Sequence, residues 1–135
     1  MQEAENFEFD LAAALGAKVA YNQRFAIYIP NKDRNGKMIG QLQWVKEAQR
    51  LLSSICGGAT AMPPLSGAWL NRETDNLIIE EPVLVYAFIE PEKFHARFDE
   101  IASFVHRVGR ETNQGEMAVE FNQTFLTIKA PFRMI

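Results

Sequence analysis

The chain has 135 residues, 47% of them hydrophobic and 23% charged, with a net charge of −3 and a pI near 5.4. That size suits a single domain with a genuine core. The acidic balance, without long runs of Lys and Arg, argues against a protein that holds nucleic acid by general phosphate neutralisation.

Cys56 is the single cysteine, so no intrachain disulfide forms, and the chain fits a reducing compartment. Its place at the end of an apolar stripe reads as a small buried hydrophobe rather than a nucleophile. The acidic start Met1-Gln2-Glu3 is unlike a secretory signal, and no apolar stretch reaches the length of a membrane span. A cytoplasmic protein without a membrane partner is expected.

Phe7, Leu11, Leu15 and Val19 recur every four residues around three alanines, which predicts a short amphipathic helix ending near Gly16. A helix this short must dock on something, so residues 1–20 read as an extension and 21–135 as the domain. Phe25–Ile29 is a run of β-formers stopped by Pro30, followed by a turn-rich loop to Gly36. Gln41–Ile55 is a helix with Leu42, Val45, Ala48, Leu51, Leu52 and Ile55 on one face, ended by Gly57-Gly58.

Ala59–Leu70 reads as an irregular strand, since Pro63-Pro64 would remove two ladder donors. Asn71–Asn76 is a turn, and Leu77–Ile89 returns as a longer strand with a bulge at Pro82. Beyond Pro82, Val83, Val85, Ala87 and Ile89 share one face while Leu84, Tyr86 and Phe88 share the other. Both faces are apolar, so both need a cover. Pro91 opens a second helix whose stripe is Phe94, Phe98, Ile101, Val105 and Val108. After the turn at Thr112–Gly115, Glu116–Phe121 and Thr124–Ile128 form a hairpin across Asn122-Gln123.

The order is an N-terminal helix, then β-α-β-β-α-β and a C-terminal hairpin strand. This is an α+β chain of ferredoxin-like type: an antiparallel sheet with two helices on one face and the other face open. A helix, then Gly57-Gly-Ala-Thr60, Gly67-Ala-Trp69 and Glu80-Glu-Pro-Val-Leu-Val-Tyr86, resembles small uncharacterised bacterial α+β proteins of ferredoxin-like type. The resemblance implies a fold and no activity.

The candidate ligand-binding residues are Trp69, Glu81, Tyr86, Arg110, Asn113 and Gln114. A carboxylate beside Trp and Tyr in an apolar pocket acquires a raised pKa and can move a proton; against this, Glu80 and Glu81 also read as solvated charges that protect a sheet edge. Arg110–Gln114 packs hydrogen-bonding side chains at a helix exit, suited to a carboxylate or phosphate, or to a plain helix cap. His95 and His106, eleven residues apart on one helix, are too far apart to share a metal, and no metal or cofactor motif is present. The sequence thus points to a small binding or interaction module. It is expected to be a homodimer that buries the open face, with a small hydrophobic ligand or a protein as partner and no cofactor. The alternative is a cofactor-free enzyme of the dimeric α+β barrel type, with a Glu or His as proton-transfer group.

Overall fold

The computed structural model describes residues 9–134, which form four helices and seven strands. The first helix, α1 (Leu11–Leu15), is capped by the Asp10 side chain, which accepts the Ala13 N–H at 3.0 Å, and is closed by Gly16 at φ 74°. The expected stop is therefore present. Phe7 lies outside the described residues, and Leu11, Leu15 and Val19 are exposed.

The remaining elements are β1 (Arg24–Ile29), α2 (Gln41–Cys56), β2 (Thr60–Ala61), β3 (Gly67–Asn71), β4 (Asn76–Glu80), β5 (Val83–Phe88), α3 (Pro91–Ala96), α4 (Phe98–Glu111), β6 (Glu116–Phe121) and β7 (Thr124–Lys129). Five strands make one sheet in the order β2-β5-β1-β6-β7, each pair antiparallel. The architecture is α+β around an antiparallel sheet. Alternation sends Phe25, Ile27, Ile29, Val83, Val85, Ala87, Met117 and Val119 to one face. There they meet Val45, Ala48, Leu52 and Ile55 of α2 and Ile101, Phe104, Val105 and Val108 of α4. This layer is the core.

Four expectations need correction. The strand expected over Leu77–Ile89 is two strands in different sheets. Pro82 has no N–H to give, while the Glu81 N–H is taken by Asn31 Oδ1 (3.1 Å) and the Glu81 carbonyl by Gln41 Nε2 (2.9 Å), so the chain changes direction there. The strand expected over Ala59–Leu70 is likewise divided, with the prolines in neither part, and β3 pairs only with β4 in a separate hairpin. The second helix is broken at Arg97 (φ −118°, ψ 17°). The break lets the Phe94 ring pack on Phe25 and Phe121 while Phe98 stays exposed. In α2, Leu42 is exposed too; the buried stripe is narrower than the apolar pattern.

Candidate functional site

The sheet face opposite the helices carries a row of side chains fixed by strand register. Thr60 of β2, Tyr86 of β5, Ala26 of β1, Glu120 of β6 and Phe125 of β7 are successive cross-strand partners. Arg24 pairs with Phe88 in the row above, and Tyr28 with Leu84 in the row below. Ala26 has the smallest side chain here and is fully buried, so Arg24, Tyr28, Tyr86 and Glu120 form a ring around it. Phe88 and Phe125 stand outside the ring, about half exposed.

The ring is polar and internally paired. The Tyr28 hydroxyl donates a hydrogen bond to Glu120 Oε2. Burial and the bond to the Glu120 carboxylate push the Tyr28 pKa up to about 12, so the phenol keeps its proton. Arg24 Nη2 lies 3.8 Å from Glu120 Oε1, and its guanidinium sits 4.8 Å over the Tyr86 ring. Tyr86 in turn meets Phe88 edge to face at 6.1 Å. Next to this pair is a cleft of about 330 Å³, lined by Tyr21, Tyr86, Phe88, Thr60 and the Cys56–Ala59 exit of α2. That volume is within the range of small-molecule sites.

A larger groove of about 680 Å³ lies among the helices, lined by Arg50, Arg97 and Arg107 with Glu47, Asp99 and Glu100. Its arginines are largely committed. Arg97 forks onto Glu100 through two 2.8 Å bonds, and Arg107 pairs with Glu47 and covers Trp44. The smaller cleft is instead lined by the aromatic side chains of Tyr21, Tyr86 and Phe88 together with Thr60.

Of the residues expected from sequence, Tyr86 belongs to this ring. Trp69 sits exposed on the β3–β4 hairpin, and Glu81 is exposed at the β4–β5 junction with its backbone held by Asn31 and Gln41. Arg110, Asn113 and Gln114 gather at the α4 exit, where β1 ends. Gln114 is buried and donates to the Lys32 carbonyl (2.8 Å) and to the Thr112 carbonyl and hydroxyl. Asn113, at φ 53°, gives its carbonyl to the Arg34 N–H, and Arg110 Nη1 donates to the Arg133 carbonyl. His106 is buried on the same helix. Its Nδ1 accepts the Arg133 N–H at 3.0 Å, and burial together with the Arg133 and Arg110 charges pushes its pKa down. His95 is exposed on α3, and the break at Arg97 puts Asp99 on the next helix. Cys56 is half-buried, which raises its thiol pKa. Among the described residues, no three His, Cys, Asp or Glu side chains are grouped to hold a metal.

Arg24, Tyr28 and Glu120 were not among the residues expected. The signal was alternation: Glu120 shares a face with Ala118, opposite the apolar Met117, Val119 and Phe121, and Arg24 and Tyr28 flank Ala26 in the same way.

No protein-family model matches the chain, and no curated protein matches it. Among solved structures, a phage SAM lyase in complex with S-methyl-5′-thioadenosine superposes with a TM-score of 0.60 at 14% identity, over 86% of this chain and 98% of that one. A phage SAM lyase in the apo state gives 0.57 at 16% identity, over 95% and 99%. At these identities the similarity establishes a shared fold.

Proposed function

We propose that this chain is a small cofactor-free lyase of S-adenosylmethionine, with its site on the open sheet face. The observation that carries the reading is the ring of Arg24, Tyr28, Tyr86 and Glu120 beside an aromatic cleft, in a fold shared with SAM lyases over almost their whole length. The chemistry fits. The substrate joins an adenine ring, a sulfonium and an amino acid. Tyr86, Phe88 and Tyr21 offer aromatic surface to the base. The aromatic faces suit the cationic sulfur. Leaving S-methyl-5′-thioadenosine requires cleavage of the bond between sulfur and the amino-acid γ-carbon. The bonding pair departs with sulfur, which becomes a neutral thioether, and the γ-carbon is satisfied in the same step, by loss of a β-proton to a carboxylate to leave an alkene or by attack of the substrate's own α-carboxylate to close a lactone; the leaving group is already activated and no cofactor is needed.

The second reading is a binding module for the same class of ligand without turnover. It is favoured by the engagement of Glu120 with both Tyr28 and Arg24, which leaves the carboxylate poorly free to move a proton. One experiment separates them: incubate the protein with S-adenosylmethionine and follow S-methyl-5′-thioadenosine by liquid chromatography. Release of the thioether supports the lyase, and binding without release supports the module. Neither binding nor release removes both.

We read the order β2-β5-β1-β6 as the ferredoxin-like arrangement, with the β3–β4 hairpin inserted and β7 added at an edge, in a protein related to the small bacterial α+β group. We also propose a cytoplasmic homodimer. Its support is exposed apolar surface: Phe88 and Phe125 on the sheet, and Trp69, Leu70, Leu77 and Ile79 on the hairpin. In that assembly Trp69 and Glu81 are candidates for completing the site. Light scattering that gave a monomer at high concentration would end the dimer proposal.

A further inference from the structure

The geometry points to Arg24 and Glu120 as a receptor for the amino-acid end of the ligand, one that makes the site prefer adenosyl compounds carrying this end over those lacking it. The inference rests on the lyase reading. Arg24 and Glu120 lie on neighbouring strands, side by side on one face of the sheet. Their 3.8 Å approach is an ion pair but too long for a hydrogen bond. Among the described residues no side-chain N–H of Arg24 makes a hydrogen bond; the guanidinium is instead held by the Tyr86 ring beneath it. It is thus oriented by stacking, with its donors open among the described residues. Arg97 is the contrast, with its donors spent on Glu100 and the Ser54 carbonyl.

Glu120 is divided in a similar way. Oε2 accepts from Tyr28, which fixes the carboxylate, and Oε1 faces Arg24. A guanidinium with open donors beside a fixed carboxylate oxygen is the complement of an α-carboxylate beside an α-ammonium. The planar fork of Arg matches a carboxylate through two hydrogen bonds. Glu120 Oε1 takes the ammonium. Both side chains are about one-third exposed or less, 34% and 22%, so the exchanged interactions are partly shielded from water.

The test uses two adenosyl thioethers that differ only in this end: S-adenosyl-L-homocysteine, which has it, and S-methyl-5′-thioadenosine, which does not. Both have neutral sulfur, so neither is lysed during a calorimetric titration. The wild-type protein is expected to bind the first at least about tenfold tighter, the fold-change of one charge-assisted pair. Arg24→Gln is expected to bring the ratio close to one, and Arg24→Lys to leave it intermediate, because the charge remains without the fork. Circular dichroism and thermal unfolding of each variant establish that it folds. Equal affinities in the wild type, or a ratio that survives Arg24→Gln, overturn the inference and leave the lyase reading standing. Failure of both thioethers to bind overturns that reading and the inference with it.

Discussion

The α4 exit and the open face of the sheet both concentrate polar side chains, and they use them in opposite ways. At the exit, Gln114 and Arg110 donate to main-chain carbonyls, His106 accepts a main-chain N–H, and the Asn113 carbonyl takes another. These groups stitch the β1–α2 loop and residues 130–134 onto the helix. On the sheet face, Arg24, Tyr28, Tyr86 and Glu120 interact with one another through their side chains, on a surface that flanking phenylalanines leave open. Polar groups that satisfy buried backbone have little left for a ligand. Side chains that pair laterally at an open surface can exchange those partners.

The largest effect that would separate the regions is on stability. Gln114→Leu leaves the Lys32 and Thr112 carbonyls without their donor, and urea unfolding is expected to show a loss of about 2 kcal/mol. An unchanged midpoint would mean that the exit is not structural. Gly109→Ala is expected to cost about 1–2 kcal/mol by the same assay, because an added Cβ would come within 2.6 Å of the Phe132 ring, which must give way.

Acid should act on the same region. The folded pKa of His106 is lowered, so its contribution is present above the unfolded value near 6.5 and is lost as pH falls through and below it. Protonation removes the Nδ1 acceptor and sets a third positive charge beside Arg110 and Arg133. The Arg133 amide should lose protection from hydrogen exchange between pH 8 and 5. His106→Asn, which keeps an acceptor without titrating, should abolish that pH dependence; a variant that retains it would break the assignment.

On the sheet face the expected stability effects are smaller. Glu120→Gln should change unfolding by less than about 1 kcal/mol, as a partly exposed pair does, while weakening ligand binding. A large destabilisation would make the ring resemble the α4 exit. Smallest of all, absorbance titration of the tyrosines should show one that ionises near pH 12, and Tyr28→Phe should remove it. Raised pKa means that the folded protein favours the protonated phenol, so stability declines only as pH climbs from about 10 through this value.

The α+β layout was legible because Val45, Ala48, Leu52 and Ile55 keep a helical period and Val83, Val85 and Ala87 keep a strand period. Both survive without knowledge of distant partners. What failed depended on contacts far along the chain. The division at Glu81-Pro82 is enforced by Asn31, fifty residues earlier, and the break at Arg97 accompanies packing of Phe94 on Phe121. Tyr86 was recognised as a site residue because it lies on the apolar run. Arg24 and Glu120 were missed because they are ninety-six residues apart in sequence and meet only through the β1–β6 pairing. Trp69, Glu81 and Arg110–Gln114 drew notice by local density, which does not reveal whether a polar group is already engaged.

The most direct measurement is a map of amide chemical-shift changes as S-adenosyl-L-homocysteine is added to isotopically labelled protein. The account predicts that the largest changes fall at Arg24, Tyr28, Tyr86, Phe88 and Glu120, with residues 110–114 unmoved. Changes centred on 110–114 and Glu81, with the sheet face silent, would contradict it.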